Sequence, residues 1–240
     1  MVDQTDSAPQ IRDAVDWHTG IALRFDEGYT KSAAFMERLV VWRELIGRYA
    51  RPGPRALDAG CGSGVLSFVA AQHMRSVLAF DASPEMIRIA REKQARSGGI
   101  ENVSFREMRM ENLQALESES FSLVMSSSVL EYLDDFWGAI DALSSLMAPD
   151  GALIFSVPNV QSLYRRLERM IFDMTGRPRY LAFVKFCFSH TEIAEGLKAR
   201  GLTPVDVRYY AAAPLLSRPA RAVGRAEYAD NLIAYVCRKS

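Results

Sequence analysis

Leu57-Asp58-Ala59-Gly60-Cys61-Gly62-Ser63-Gly64 joins a short apolar run, RALDAG (55–60), to VLSFVAAQHM (65–74), whose apolar residues recur at helical spacing. Glycines between a strand and a helix let the backbone turn sharply and approach a ligand, because no Cβ is in the way. A G-x-G alone is shared by several nucleotide-binding folds, so the neighbouring elements decide its meaning. Here the spacing is G-x-G-x-G with an acid before it. The dinucleotide fingerprint G-x-G-x-x-G would need glycine where Val65 stands.

Working outward, SVLAFDAS (76–83) reads as a second strand ending at Asp81. That places a carboxylate about 20 residues after the loop, where it can accept from both hydroxyls of a ribose. Its competing role, capping the next helix, is better filled by Ser83 followed by Pro84. Met86, Ile87 and Ala90 continue that helix until Gly98-Gly99. VSF (103–105), FSLVMS (121–126) and ALIFSVP (152–158) are further strands. Asp134 reads as the cap of a helix carrying Phe136, Ile140, Leu143 and Met147, ended by Pro149-Asp150-Gly151. Alternating strands and helices predict a doubly wound α/β domain with a mostly parallel sheet.

Before that core, residues 31–49 form an amphipathic helix with Phe35, Leu39, Trp42, Leu45 and Ile46 on one side. After it, Ser189-His190-Thr191-Glu192 is a capping box that opens a helix to Arg200, ended by Gly201; VDVRYY (205–210) and LIAYVC (232–237) are two closing strands. The stretch 159–188 is too long for an ordinary connection of about 2–6 residues. Its first half sets Val160, Leu163, Leu167, Met170, Ile171 and Met174 against Arg165, Arg166 and Arg169; its second half, RYLAFVKFCF (179–188), is aromatic and cationic. An insertion at the carboxyl end of a strand sits where doubly wound sheets bind ligands, which predicts a helical lid over a substrate. The expected organisation is one domain over 1–240. It comprises an N-terminal helical arm (1–50), a cofactor-binding core (51–158), the lid (159–188) and a closing helix with strands (189–240).

Composition excludes collagen-like, disordered and disulfide-scaffold classes, with 49% hydrophobic residues, 24% charged and ten prolines in 240. No apolar run approaches the ~18–20 residues that span a bilayer. The start, MVDQTDSAPQIRDAVDW, has neither the basic nor the apolar region of a secretory signal. Cys61, Cys187 and Cys237 match no zinc or C-x-x-C spacing, so a reducing cytoplasm is expected. The balance of 29 basic and 29 acidic side chains conceals 15 against 22 through Pro158 and 14 against 7 after it.

LDAGCGSG, FDASPEMIRIA, FSLVMSSSVLEYL and LMAPDGALIFSVPN resemble, in order, the motifs of class I S-adenosylmethionine-dependent methyltransferases. The likeness runs over about residues 29–200. It is strongest to the small-molecule group with ubiquinone-biosynthesis O-methyltransferases and glycan or natural-product methyltransferases. The resemblance implies a Rossmann-like seven-stranded sheet with its last strand antiparallel, S-adenosyl-L-methionine as cofactor and S-adenosyl-L-homocysteine as product. It assigns Asp58, Ala59, Gly60, Cys61, Gly62 and Gly64 to the cofactor loop, Asp81 to the ribose, and Ala82 and Met86 to the adenine. Ser126 and Ser127 fall where the methionine amino group is met. Arg109 and Met110 stand where the family usually has an acid and a small residue holding the adenine amino group. A guanidinium cannot accept from that group, so either the Met110 backbone makes the contact or the correspondence slips. Ser122 likewise replaces the aspartate of the family's Phe-Asp. Ubiquinone-pathway relatives carry Glu-x-x-Glu-His, able to hold a divalent metal; Ser128-Val129-Leu130-Glu131-Tyr132 keeps one ligand, so no metal is expected.

Methyl transfer is an in-line displacement from an already activated donor, so alignment and exclusion of water come first and a general base adds about 10²–10⁴-fold. The candidate bases and pocket hydroxyls are His190, Tyr132 and Tyr29, with His18 in the arm and His73 at a helix end ranked behind. Tyr164, Arg165 and Lys185 are candidates for the acceptor side. The basic surplus after residue 158 has three readings: an anionic acceptor, which is favoured; an anionic lipid surface met by 160–174; or a solvated face. Nucleic acid is not expected, since pI ≈ 6.8 and scattered arginines make no continuous stripe. The expected activity is methylation of a small-molecule acceptor, at oxygen before nitrogen or carbon. A cofactor-binding protein without transfer activity is the competing class, supported by Arg109 and Ser122. The sequence does not determine the oligomeric state.

Overall fold

The computed structural model describes residues 11–50, 55–116, 120–212 and 217–240. One sheet holds β1 (Arg55–Ala59), β2 (Ser76–Asp81), β3 (Val103–Glu107), β4 (Phe121–Ser127), β5 (Met147–Pro158), β6 (Leu202–Ala212) and β7 (Asp230–Lys239), in the order β3-β2-β1-β4-β5-β7-β6. The first five strands run parallel, and β7 inserts antiparallel between β5 and β6. This is the expected Rossmann-like α/β architecture with its last strand antiparallel.

Strand residues alternate between two apolar layers, as period-two geometry requires. Leu57, Leu78 and Phe80 enter one layer with Phe136, Ile140 and Leu143, while Ala56, Val77 and Ala79 enter the other with Trp42, Leu45 and Ile46. On the second face lie α3 (Ala33–Tyr49), α4 (Val65–Ala71) and α5 (Pro84–Ser97); on the first lie α6 (Phe136–Ser145) and α8 (His190–Lys198). The buried Trp42 indole donates to the Tyr210 hydroxyl at 3.1 Å, tying α3 to β6.

Several local expectations shift. The arm contains α1 (Ala14–Gly20) and α2 (Ala22–Lys31), and α3 begins after Ser32, whose extended backbone breaks the helix. The expected signal-free start falls partly on residues 1–10, outside the described residues. Asp135, not Asp134, caps α6: its side chain accepts the Gly138 N–H at 2.8 Å, while Asp134 pairs with Lys185. The capping box at Ser189 and Glu192 is present. The stretch after β5 folds into α7 (Leu163–Thr175) and a single turn at Arg179–Ala182.

Candidate active site

At the carboxyl ends of β1, β2 and β4 lies a cavity of about 420 Å³. The loop after β1 forms its floor. Gly60 and Gly64 have φ of 77° and 79°, a left-handed conformation costly to other residues. A Cβ at Gly60 would lie 2.3 Å from a Val129 methyl, and one at Gly64 would lie 2.8 Å from the Phe105 ring. Both glycines are therefore demanded by packing as well as by backbone shape.

Asp81 accepts the Gly62 N–H at 2.8 Å through one oxygen and the Ser83 N–H at 2.9 Å through the other. Burial raises its carboxyl pKa above the ordinary value, and these N–H bonds only partly oppose that. Ser83 caps α5 by accepting the Met86 N–H at 3.2 Å. Thus the ribose candidate and the helix cap are separate residues. Beneath the loop, buried Asp58 accepts from Ser67 at 2.6 Å, and burial pushes its pKa up to about 6.

Of the residues assigned to the cofactor, Asp58, Gly60, Cys61, Gly62, Asp81, Ala82, Met86, Arg109, Met110 and Ser127 line the cavity. Ala59, Gly64 and Ser126 lie behind that wall; Ser126 is fully buried with its hydroxyl unpaired. Tyr29, Tyr132 and Lys185 also reach the wall, whereas Tyr164 and Arg165 do not. Arg165 instead donates to Tyr180 and pairs with Glu168 at 3.3 Å, fastening α7 to the turn that follows it. The expected base His190 is likewise off the wall: its ring stacks on Tyr235, with Nδ1 3.1 Å from the Tyr235 hydroxyl. The expectation followed from the capping box, but β7 decides which way that first turn faces.

Two wall residues, Arg38 and Glu111, have no assignment in the sequence reading, and a third is the base candidate ranked behind His190. Arg38 is only 8% exposed, and its guanidinium donates to the Ser127 hydroxyl at 2.7 Å and carbonyl at 2.8 Å. Its signal was a cation at spacing i+3 from Phe35 on the apolar stripe of α3. Glu111 lines the wall beside Met110 and supplies an acid close to where the family's adenine contact is expected. Arg109 also pairs with Asp13 at 3.2 Å, across the mouth.

His18 is the third. Its Nδ1 lies 2.7 Å from the Ala14 carbonyl oxygen, so that nitrogen carries the proton and Nε2 is left as the acceptor in the neutral ring. The ring sits edge-on to Tyr132, with centroids 5.0 Å apart. Burial lowers its pKa, favouring the neutral form. Its helix α1 spans the mouth: Thr19 donates to Ser83 at 2.8 Å, and Trp17 lies 6.0 Å from Phe183 of the segment after β5.

A seven-stranded sheet of this order, with a glycine cradle and a ribose-competent carboxylate on adjacent strands, defines a class I methyltransferase fold. Comparison with known proteins agrees. Residues 50–195 match the family described as "Methyltransferase domain". The ubiquinone biosynthesis O-methyltransferase of Xanthomonas axonopodis pv. citri is 32% identical over 188 residues, 78% of this chain and 77% of that protein. The one from Xanthomonas campestris pv. campestris (strain B100) is 38% identical over 115 residues, 48% of this chain and 47% of that protein, so this chain spans about half its length. N-methyltransferase NodS from Bradyrhizobium japonicum, solved with S-adenosyl-L-homocysteine, superposes with a TM-score of 0.67 at 18% identity, covering 95% of this chain and 99% of that one. The chain belongs to the class I S-adenosylmethionine-dependent methyltransferases.

Proposed function

We propose that this protein methylates an oxygen of a small hydroxylated or carboxylated molecule, working in the cytoplasm. The observation that carries this reading is one cavity that holds both a ribose-competent carboxylate, Asp81, and a histidine with a free basic nitrogen, His18. Three cysteines without disulfides fit a reducing compartment, and the names of the relatives support transfer to oxygen.

The residues present fit S-adenosylmethionine, which when bound supplies a methyl group on a positively charged sulfur. Asp81 would accept from the ribose hydroxyls, and the glycine backbone would admit the sugar without a Cβ. Met110 and Glu111 would border the adenine. Arg38 is a buried cation whose hydrogen bonds go to neutral Ser127, so its charge suits the carboxylate of the methionine part. Beside Tyr132, His18 takes the acceptor's hydroxyl proton on Nε2 while Nδ1 stays bonded to Ala14, and Tyr132 and α1 limit entry of water. A carboxylate or phosphate on the acceptor would be met by Lys185, which pairs with Asp134.

Calorimetry with S-adenosyl-L-homocysteine tests the donor site, and mass spectrometry of a panel of phenols and hydroxy acids tests transfer as a gain of one methyl. His18 must be deprotonated to act. Its lowered pKa therefore predicts a rate that rises with pH below about 6.5, levels off through neutrality, and loses this step in His18→Gln. Tight cofactor binding with no methylated product from any compound would favour a cofactor-binding protein without transfer.

A further inference from the structure

Among the described residues, eleven large apolar side chains are exposed, and five of them lie on α7: Leu163, Leu167, Met170, Ile171 and Met174. They fall at i, i+4, i+7, i+8 and i+11, one continuous stripe about 17 Å long at helical rise. None is marginal, with exposures from 39% to 70%. Yet the helix is firmly seated. Ser162 caps it and donates to Asn231 at 2.7 Å, and Arg165 reaches the Asn231 carbonyl as well as Tyr180 and Glu168. A seated helix that turns an apolar stripe outward, rimmed by charge, marks an interaction surface.

The charge around the stripe selects the occupant. Residues 160–188 carry six basic side chains against two acidic ones. Glu168 is turned inward to Arg165 and Tyr180, and Asp173 is paired with Arg169 at 3.4 Å. Arg166, Arg177 and Arg179 are exposed and form no ion pair among the described residues. A second copy of the chain, docked stripe to stripe about a twofold axis, would bring these arginines against their equivalents. An anionic bilayer matches both features at once: acyl chains for the stripe, headgroups for the rim. Arginine stems lie along apolar surface while their heads stay at the interface.

We propose that α7 and the turn after it form a docking surface for anionic lipid, with Leu167, Met170 and Met174 inserted and Arg166, Arg177 and Arg179 at headgroup level. Residues 163–182 hold five basic and two acidic side chains, so three of the seven surplus charges of the last third belong to this segment. Of the last third's cationic groups, Lys185 alone is among the described residues lining the cavity. This surface is independent of the proposed methyl transfer and is tested without it.

The full chain is sedimented with vesicles of phosphatidylcholine alone and of phosphatidylcholine with an equal part of phosphatidylglycerol, at low and high salt. Light scattering runs alongside. The expected result is partitioning at least about tenfold stronger onto the anionic vesicles and weakened by salt. Met170→Gln with Met174→Gln should lower it about tenfold while the melting temperature and S-adenosyl-L-homocysteine binding stay unchanged. Arg166→Gln with Arg177→Gln should remove most of the preference for phosphatidylglycerol. Absence of vesicle binding overturns the proposal. So does binding that the methionine pair leaves intact, or a dimer that the same pair dissolves without any vesicle binding.

Discussion

In the loop after β1, shape is fixed by backbone: three glycines in left-handed conformation, two N–H groups held by the Phe80 carbonyl and one by Asp81, and no room for a side chain at Gly60. The segment after β5 borders the same cavity but is held by side chains. Arg165, Glu168, Tyr180 and Asn231 anchor its inner edge, and its apolar face is left outside. The contrast separates two tasks. A cofactor site needs backbone geometry that cannot vary, whereas a cover or docking surface needs a helix whose outer face is free to meet something else.

The largest effect that would break this contrast is at the loop. Gly60→Ala should destabilise the fold by about 3 kcal/mol, from a left-handed alanine plus the collision with Val129. Adding Val129→Ala should restore part of it in thermal melts. An unchanged melting temperature for the single variant would mean the loop is not locked as described. Next, Asp81→Ala should weaken S-adenosyl-L-homocysteine binding about 100-fold by calorimetry, some 2–3 kcal/mol, because two hydroxyl contacts are lost. Equal affinity would refute the ribose assignment.

A smaller effect belongs to the short turn between the two regions. Glu131 is 2% exposed, one of its oxygens has no hydrogen-bond partner, and burial pushes its pKa up to about 7. The folded state therefore binds this proton more tightly than the unfolded one, and stability declines as pH rises from about 4.5 through 7. Glu131→Gln should abolish that decline and stabilise the protein at pH 8 by roughly 1–2 kcal/mol, with little change at pH 4. Parallel pH–melting curves for wild type and variant would contradict this. The smallest effect is expected on the stripe, where Leu167→Gln should alter stability by less than about 0.5 kcal/mol. A loss above 1.5 kcal/mol would mean that the stripe is covered in solution and that the contrast fails there.

Legibility followed the range of the interactions involved. The glycine spacing, the Ser83-Pro84 cap, the capping box at Ser189 and the alternating strands are written within a few residues of each other, and each stands where it was expected. The cap of α6 was assigned to Asp134 and belongs to Asp135, because the choice between these neighbours turns on a distant partner, Lys185, which pairs with Asp134. His190 looked suited to the site through its neighbours in sequence. Its actual partner, Tyr235, is 45 positions away.

Sequence alone determined the α/β class, the glycine turn with Asp81 at the end of the next strand, and the amphipathic character of 160–174, since all three are periodic or local signals. Tertiary structure decided which face of α7 stays uncovered. It also brought Arg38 to Ser127, 89 positions apart, and His18 to Tyr132 across the cavity mouth. Those pairings depend on how the arm packs over the carboxyl ends of the strands. No spacing in the chain encodes that packing, because it arises from burying α3 against the sheet and closing α1 over the space that remains.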